Sequence, residues 1–285
     1  MLTKIFRFTL TGLLLAAALW AGKLAWDRYM ESPWTRDGHI RADVINISAD
    51  VAGTVTEVQV RDNQFVHKGD ILFIIDKERY ASALSQANAT LAAQQVEKGR
   101  RAREASRRAA LGSEIVSAEA KDNADYAVSS AAAQLEALQA ARKVAALNLE
   151  RTVVRAPVSG YVTNLNVHVG DFAAVGAAKL ALIDSESYYV IGYFEETKLP
   201  QLQPGAKVDM QLMDGASLQG HVESIARGIT DRDASTGREL LADVNPTFNW
   251  VRLAQRIPVR IHIDTPPPGQ PLVAGSTCTV VIRHG

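Results

Sequence analysis

The feature that most constrains this chain is a β-rich repeat split in two by a long helical segment. Aligning Ile47 with Val154 brings Ala49 onto Ala156, Val51 onto Val158, Gly53 onto Gly160, Val55 onto Val162, Val60 onto Val167, Phe65 onto Phe172 and Gly69 onto Gly176, at a constant offset of 107 positions. With one residue inserted, Asp76 meets Asp184. Neither half is large enough to bury both faces of its strands, so the two must pair with each other. Between them, residues 77–150 hold 22 alanines, two glycines (Gly99 and Gly112) and no proline. That composition forms helix.

Within each half, short apolar runs alternate with turns. Val44 to Val60 is interrupted by Gly53, as at a bulge or a close backbone approach. Asp62-Asn63, Lys68-Gly69-Asp70, Val169-Gly170-Asp171 and the region of Gly176 read as turns. Residues 44–76 plus 152–184 therefore predict a split domain of the lipoyl or biotinyl carrier type, with Gly53, Gly69, Gly160 and Gly176 at its repeated turns and close contacts. A true carrier presents a modifiable lysine where the halves join. Here helix occupies that position and no Met-Lys-Met-type tip occurs, so no lipoyl, biotin or other cofactor is expected. The domain reads as a clamp around the base of the insert.

Residues 77–151 predict an antiparallel α-helical hairpin with a narrow coiled-coil seam. Tyr80, Leu84, Ala87 and Leu91 mark one arm, and Val128, Ala131, Leu135, Leu138, Ala145 and Leu149 the other. The break is placed at Leu111-Gly112-Ser113, with Gly112 ending one helix and Ser113 capping the next. The ascending arm carries Lys98, Arg100, Arg101, Arg103, Arg107 and Arg108, and the descending arm Glu114, Glu119, Asp122 and Asp125. Folding at Gly112 brings Arg101 level with Asp122 and Lys98 with Asp125. Those pairs set the hairpin's register on one reading; on the other, the charged tip also docks a partner.

Residues 185–285 predict a small antiparallel β-barrel, with strands near 188–194, 207–212, 219–225, 250–263 and 278–282 and a long polar loop over 228–248. Residues 31–43 are left as a linker. At the N-terminus, Lys4 and Arg7 precede an uncharged run from Phe8 to Gly22. It predicts a single-pass transmembrane helix within residues 1–30, N-terminus cytoplasmic and the bulk of the chain periplasmic, with Trp20, Trp26 and Tyr29 at the far interface. A cleaved signal peptide with Ala16 to Ala18 at its cleavage site is the alternative. The fold class is thus multidomain α+β.

Thirty-one basic residues balance 31 acidic ones, so no charge excess points to nucleic acid. A lone cysteine, Cys278, excludes an internal disulfide and reads as a small buried side chain. No phosphate loop, nucleophile elbow or His-Glu-x-x-His helix occurs. The six histidines show no metal-ligand spacing in sequence, and Asp231 and Asp233 read as solvated loop. No catalytic, cofactor-binding or metal-binding residue is expected, and an enzyme is not supported.

This arrangement of anchor, split lipoyl-type domain, helical hairpin and barrel resembles the periplasmic adaptor, or membrane fusion, proteins of the HlyD and AcrA kind. Within that family the chain is most similar to the branch serving p-hydroxybenzoate efflux. The similarity is carried by Glu31-Ser-Pro-Trp-Thr-Arg-Asp37, Arg41-Ala-Asp-Val44, Asp62-Asn-Gln64, Leu149-Glu-Arg-Thr152, Arg155-Ala-Pro157, Val162-Thr-Asn-Leu-Asn-Val167, Glu195-Glu-Thr-Lys-Leu199 and Trp250-Val-Arg-Leu-Ala-Gln-Arg-Ile-Pro-Val-Arg260. The resemblance implies a tripartite pump. Its partners would be an inner-membrane aromatic acid exporter permease, an outer-membrane TolC-type channel and further copies of the chain in a six-membered ring. It also implies an Arg-Leu-Ser pattern at the hairpin tip that meets the channel, matched here by Arg107 or Arg108, Leu111 and Ser117 with the spacing shortened by one residue. A further membrane-proximal domain, as in adaptors of proton-driven drug pumps, is not expected. The alternatives are an adaptor for a major-facilitator multidrug permease, a lipoyl or biotin carrier-like subunit, and a passive envelope protein.

Overall fold

The computed structural model describes residues 2–26, 33–111, 115–229, 254–265 and 271–283. In chain order, α1 (Leu2–Trp26) and β1 (Trp34–Arg41) are followed by β2 (Val44–Ser48), β3 (Gly53–Val58), β4 (Phe65–Val66) and β5 (Ile71–Ile75). Next come α2 (Glu78–Ala110) and α3 (Ala118–Glu150), then β6 (Val153–Arg155), β7 (Gly160–Thr163), β8 (Phe172–Ala173) and β9 (Ala178–Asp184). The chain ends with β10 (Tyr189–Glu195), β11 (Lys207–Leu212), β12 (Ser217–Ile225), β13 (Arg256–Thr265) and β14 (Thr277–Ile282). Two units result: Val44–Glu186, and the end segments Met1–Asp43 with Ser187–Gly285.

The first unit is a clasp of two four-stranded sheets, β2-β9-β7-β4 and β6-β5-β3-β8. Each sheet takes two strands from each half of the repeat, so the halves interlock. Their pairings are copies of one another. Ile47 pairs with Leu180 as Val154 does with Phe73, Val55 with Ile75 as Val162 does with Leu182, and Gly53 with Ala173 as Gly160 does with Val66. Each of these pairs maps onto its mate by the offset of 107 seen in the sequence, which makes the clasp an internal twofold, broken locally where a bulge pairs Glu57 with Ile74 but Thr163 with Ala181. The turns obey it too: Gly69 and Gly176 have φ of 97° and 76°, and Asn63 at 60° stands where its mate is Gly170 at 97°. Gly160 is required sterically, since a Cβ there would lie 2.0 Å from the Ile183 carbonyl oxygen; at Gly53 it would lie 2.7 Å from Ile75 Cγ2. One core joins the sheets, with Val55, Val66, Leu72, Phe73, Ile75, Val162, Ala173, Leu180 and Leu182 all at most 2 % exposed. Each large aliphatic or aromatic side chain so buried contributes about 1.5–3 kcal/mol.

The hairpin grows out of this clasp. Its helices have 33 residues each, hence a length of about 50 Å. Along the seam, Tyr80, Leu84, Ala87 and Leu91 of α2 and Val128, Leu135, Leu138, Ala145 and Leu149 of α3 are half-buried, while Ala105, Ala124 and Ala131 are buried. The turn departs from expectation. Helix α3 starts at Ala118, and its N-cap is Ser117, whose hydroxyl accepts from the Ala120 amide at 3.2 Å. The expected cap, Ser113, and the expected breaker, Gly112, lie outside the described residues. The longer connection shifts the register. Gln94 Nε2 reaches Gln134 Oε1 at 3.2 Å and Arg108 Nη1 reaches the Ala120 carbonyl at 3.3 Å. Both contacts place Arg101 level with Ala127, not Asp122.

In the second unit six strands close a barrel in the order β1-β10-β13-β12-β11-β14. Strand β1 corrects the linker reading of 31–43. It escapes a hydrophobicity search because its inward positions are Gly38 and Ile40 and, Trp34 apart, the rest are polar. Gly38 is needed, as a Cβ would lie 2.7 Å from the Cys278 carbonyl oxygen. The interior is filled by Ile40, Val190, Phe194, Val208, Met210, Leu218, Val222, Val259, Ile261, Cys278 and Val280, each at most 1 % exposed. Burial pushes the Cys278 thiol up to about 11. Between β10 and β11, Glu196–Gln201 forms a 3-10 segment that contains Pro200. The loop expected over 228–248, including Asp231 and Asp233, lies almost wholly outside the described residues, as do Trp250 to Leu253.

Helix α1 has 25 residues. Its Leu13, Leu14, Leu15, Leu19 and Trp20 are all more than 60 % exposed. Among the described residues, no helix is long and apolar enough to cross a membrane. The described side chains of α1 are those of 10–23 and 26, a stretch shorter than the roughly 20 residues a bilayer core requires.

Candidate docking surface at the hairpin tip

The tip is built from the last turn of α2 and the first of α3. Leu111 leaves the helix in an extended conformation, φ −85° and ψ 141°, and its amide donates to the Arg108 carbonyl at 3.3 Å. Its own carbonyl accepts from Lys121 Nζ at 2.8 Å. This bond ties the end of α2 to α3 and leaves the Leu111 side chain outside, 43 % exposed. Ile115, which sequence reasoning passed over, is 73 % exposed. Two aliphatic side chains thus stand in solvent at the end of a long, alanine-rich hairpin, whose shaft also exposes Val96, Tyr126, Val144 and Leu147.

The two candidate arginines separate clearly. Arg108 is half-buried, donating from Nη2 to Glu104 Oε1 at 2.7 Å and from Nη1 across to the Ala120 carbonyl. It holds the two arms together. Arg107 is exposed and makes no ion pair among the described residues. Of the expected pattern, Arg107 and Leu111 are therefore free to meet a partner. Ser117 is exposed, but its hydroxyl is engaged as the helix cap.

The expected register pairs do not form. Arg101 Nε donates instead to Glu97 Oε1 at 2.7 Å, and Arg100 grips the same carboxylate at 2.7 and 2.8 Å. These bonds hold the Glu97 carboxyl down at about 2. Neither Arg101 with Asp122 nor Lys98 with Asp125 makes an ion pair among the described residues. The reason is spacing. Glu97 lies three and four positions before two arginines, where helical neighbours meet, whereas Asp122 lies five positions off Arg101's level. The i to i+4 rule applied to Glu97 would have found this pair. Register is set instead by Gln94 with Gln134, by Arg142 Nε with Asn88 Oδ1 at 3.0 Å, and by Arg108 with Ala120.

Among the described residues of the tip, none pairs a nucleophile with a base. Its chemistry is that of contact: two apolar side chains, one free guanidinium and a rigid helical support.

Comparison with known proteins bears on that reading. Residues 78–150 match the family model described as the pHBA AAEA subunit, alpha-helical hairpin domain, and residues 187–283 match the AAEA-like beta-barrel domain. The uncharacterized protein YdhJ of Escherichia coli K12 is 44 % identical over 280 residues, covering 98 % of both chains. The chain belongs to the AAEA-like family of membrane fusion proteins. Among solved structures, the membrane fusion protein Spr0693 of Streptococcus pneumoniae R6 matches the adaptor with a TM-score of 0.66 at 16 % identity, over 89 % of this chain and 100 % of that one. The periplasmic adaptor protein EmrA matches with a TM-score of 0.50 at 18 % identity, over 90 % and 99 %. These likenesses show a shared fold. The two family models, of an AAEA hairpin and an AAEA-like barrel, fall on the elements that form the hairpin and the barrel here.

Proposed function

We propose that this adaptor joins an inner-membrane permease for p-hydroxybenzoate-like aromatic carboxylic acids to an outer-membrane TolC-type channel, as a ring of identical copies. The observation that carries the docking role is the hairpin tip, where Leu111, Ile115 and Arg107 stand free about 50 Å from the clasp. The match of residues 78–150 to a p-hydroxybenzoate adaptor hairpin supports the substrate class. We also assign α1 as an inner-membrane anchor with the N-terminus cytoplasmic and the rest periplasmic; its 25-residue length and its exposed leucines support this.

The test is export of p-hydroxybenzoate by cells lacking the gene and complemented with variants. Leu111→Asp and Ile115→Asp should each leave folding within about 0.5 kcal/mol of the parent, because neither side chain is buried. Each should abolish export, because an unpaired carboxylate in an apolar contact loses its water without compensation. Arg107→Ala should reduce export without loosening the hairpin, whereas Arg108→Ala should loosen it. Full export by the Leu111→Asp, Ile115→Asp double variant at normal protein level would remove the tip as the docking surface. Unchanged p-hydroxybenzoate export in the deletion strain, with drug export lost, would transfer the adaptor to a multidrug permease.

A further inference from the structure

We propose that His221 and His262, brought side by side on the outer face of the barrel, form a binding site for a divalent late transition-metal ion such as Zn2+ or Ni2+. In sequence the two histidines are remote. In the fold they are direct cross-strand partners on β12 and β13, and their ring centres are 5.2 Å apart. Two imidazoles on one tetrahedral ion, with metal–nitrogen bonds of about 2.0–2.1 Å, have ring centres about 5 Å apart. The observed spacing meets that requirement with little rearrangement.

A carboxylate completes the arrangement. His221 Nδ1 lies 2.7 Å from Asp264 Oδ1. A carboxylate only accepts, so Nδ1 carries the hydrogen and Nε2 presents its lone pair. Carboxylate-oriented imidazoles of this kind are the usual outer support of metal-ligating histidines. The backbone makes the alignment possible. Strand register shifts between Gln219 and Gly220, and at Gly220 a Cβ would lie 2.0 Å from the His262 carbonyl oxygen. Gln219 pairs with Thr265 and Gly220 with Ile263, so Asp264 is the extra residue of a bulge on β13 and lies within reach of His221.

The surroundings tolerate a cation. Lys207 stands opposite His221 on β11, and Tyr189 opposite His262 on β10. Arg260, over the Tyr189 ring at 3.7 Å, is paired with Glu223 at 2.9 Å. Lys207 is exposed and its long stem lets the ammonium swing away. No group of three or more His, Cys, Asp or Glu that could hold a metal occurs among the described residues. The site therefore supplies two imidazole nitrogens and leaves the other positions to water. Imidazole pairs suit zinc and nickel rather than magnesium or calcium.

The purified full-length chain, in detergent, is titrated with ZnCl2 and separately with NiCl2 by isothermal calorimetry at neutral pH. One ion per chain is expected. His221→Gln and His262→Gln should each weaken binding about tenfold or more, and Asp264→Asn about 10–100-fold. His39→Gln, elsewhere on the barrel, should leave it unchanged. Because Ni2+ is paramagnetic, it should broaden the ring signals of His221 and His262 before those of the other histidines; this measurement needs no variant and so does not depend on variants folding. Absence of saturable binding, unchanged affinity in both histidine variants, or earlier broadening of other histidines would overturn the assignment.

Discussion

Val162→Asp tests the clasp most directly. Val162 is fully buried, its amide donates to the Gln64 carbonyl at 2.9 Å, and its carbonyl accepts from Asn63. Substitution leaves that backbone ladder in place and changes only what enters the core. Removing the valine forfeits about 1.5–3 kcal/mol of burial. Placing a carboxyl there without a partner adds roughly 1–3 kcal/mol. The sum, about 2.5–6 kcal/mol, is a large share of the roughly 5–15 kcal/mol typical of a domain. The sign with pH follows from burial, which raises the new carboxyl's folded pKa above its unfolded value near 3.9. The variant is therefore least destabilised below that unfolded value, and the deficit grows as pH rises through the folded pKa. Two readouts separate the units. All four tryptophans, Trp20, Trp26, Trp34 and Trp250, belong to the unit of the barrel, whereas the helical signal in circular dichroism is dominated by the hairpin. The dichroism transition should shift and the fluorescence transition should not. Val55→Asp, at the twofold-related position and 1 % exposed, should cost the same. Unaltered melting by dichroism, or a cost at Val55 far from that at Val162, would refute the interlocked core.

Four other outcomes are expected. Glu97 has a depressed folded pKa, so its contribution is present above the ordinary value of 4.5 and is lost as pH falls toward about 2; carboxyl-carbon NMR should show that low midpoint, and Arg100→Ala should raise it. Gly99→Ala should stabilise by about 1 kcal/mol, because a Cβ there would meet only Arg103 Nη1 at 3.9 Å. Gly160→Ala, aimed at the Ile183 carbonyl, should instead destabilise by about 1–3 kcal/mol, both read by urea unfolding. Ser117→Ala should cost about 0.5–2 kcal/mol of hairpin stability through loss of the cap, measured by thermal melting.

The parts of the fold that were legible in the sequence are those written in apolar side chains. The split repeat could be aligned because each half must fill the same core, so Val55 and Val162, or Val60 and Val167, had to match. The seam of the hairpin was legible for the same reason. Strand β1 was not, because its inward positions are occupied by Gly38 and by one isoleucine, and hydrogen bonds to β10 and β14 leave no signature in side-chain polarity. The start of the second helix was misplaced because Ser113 is a good cap in sequence, whereas the helix start is decided by Ser117, whose hydroxyl accepts from the Ala120 amide. That error of a few residues moved Arg101 away from Asp122 and hid its true partner, Glu97. It also hid Ile115, which falls inside the connection. The pairing of His221 with His262 was illegible in principle, since it depends on which strands become neighbours in the barrel.

The hairpin's stiffness then has to come from its base. Among the described residues of α2 and α3 only three alanines, Ala105, Ala124 and Ala131, are buried, and an alanine offers the seam a single methyl group. Surface pairs such as Arg101 with Glu97 contribute little more. Large side chains are concentrated near the clasp, and each arm is tied there by a specific bond. Tyr80 Oη donates to the Ala52 carbonyl at 2.6 Å, fixing the start of α2. At the end of α3, Thr152 is fully buried; its hydroxyl donates to the Leu149 carbonyl at 2.7 Å, and its carbonyl accepts from Ile75 at 2.8 Å. Thr152 thus closes the last turn of the helix while its backbone joins a strand of the core. Both arms leave one interlocked domain, and the core that resists separation of its halves also resists separation of the helices. The narrow seam only has to keep two already aligned helices in register, which hydrogen bonds at Gln94, Asn88 and Arg108 do. Nothing in that arrangement requires Leu111 or Ile115 to turn inward, and so they remain available at the tip.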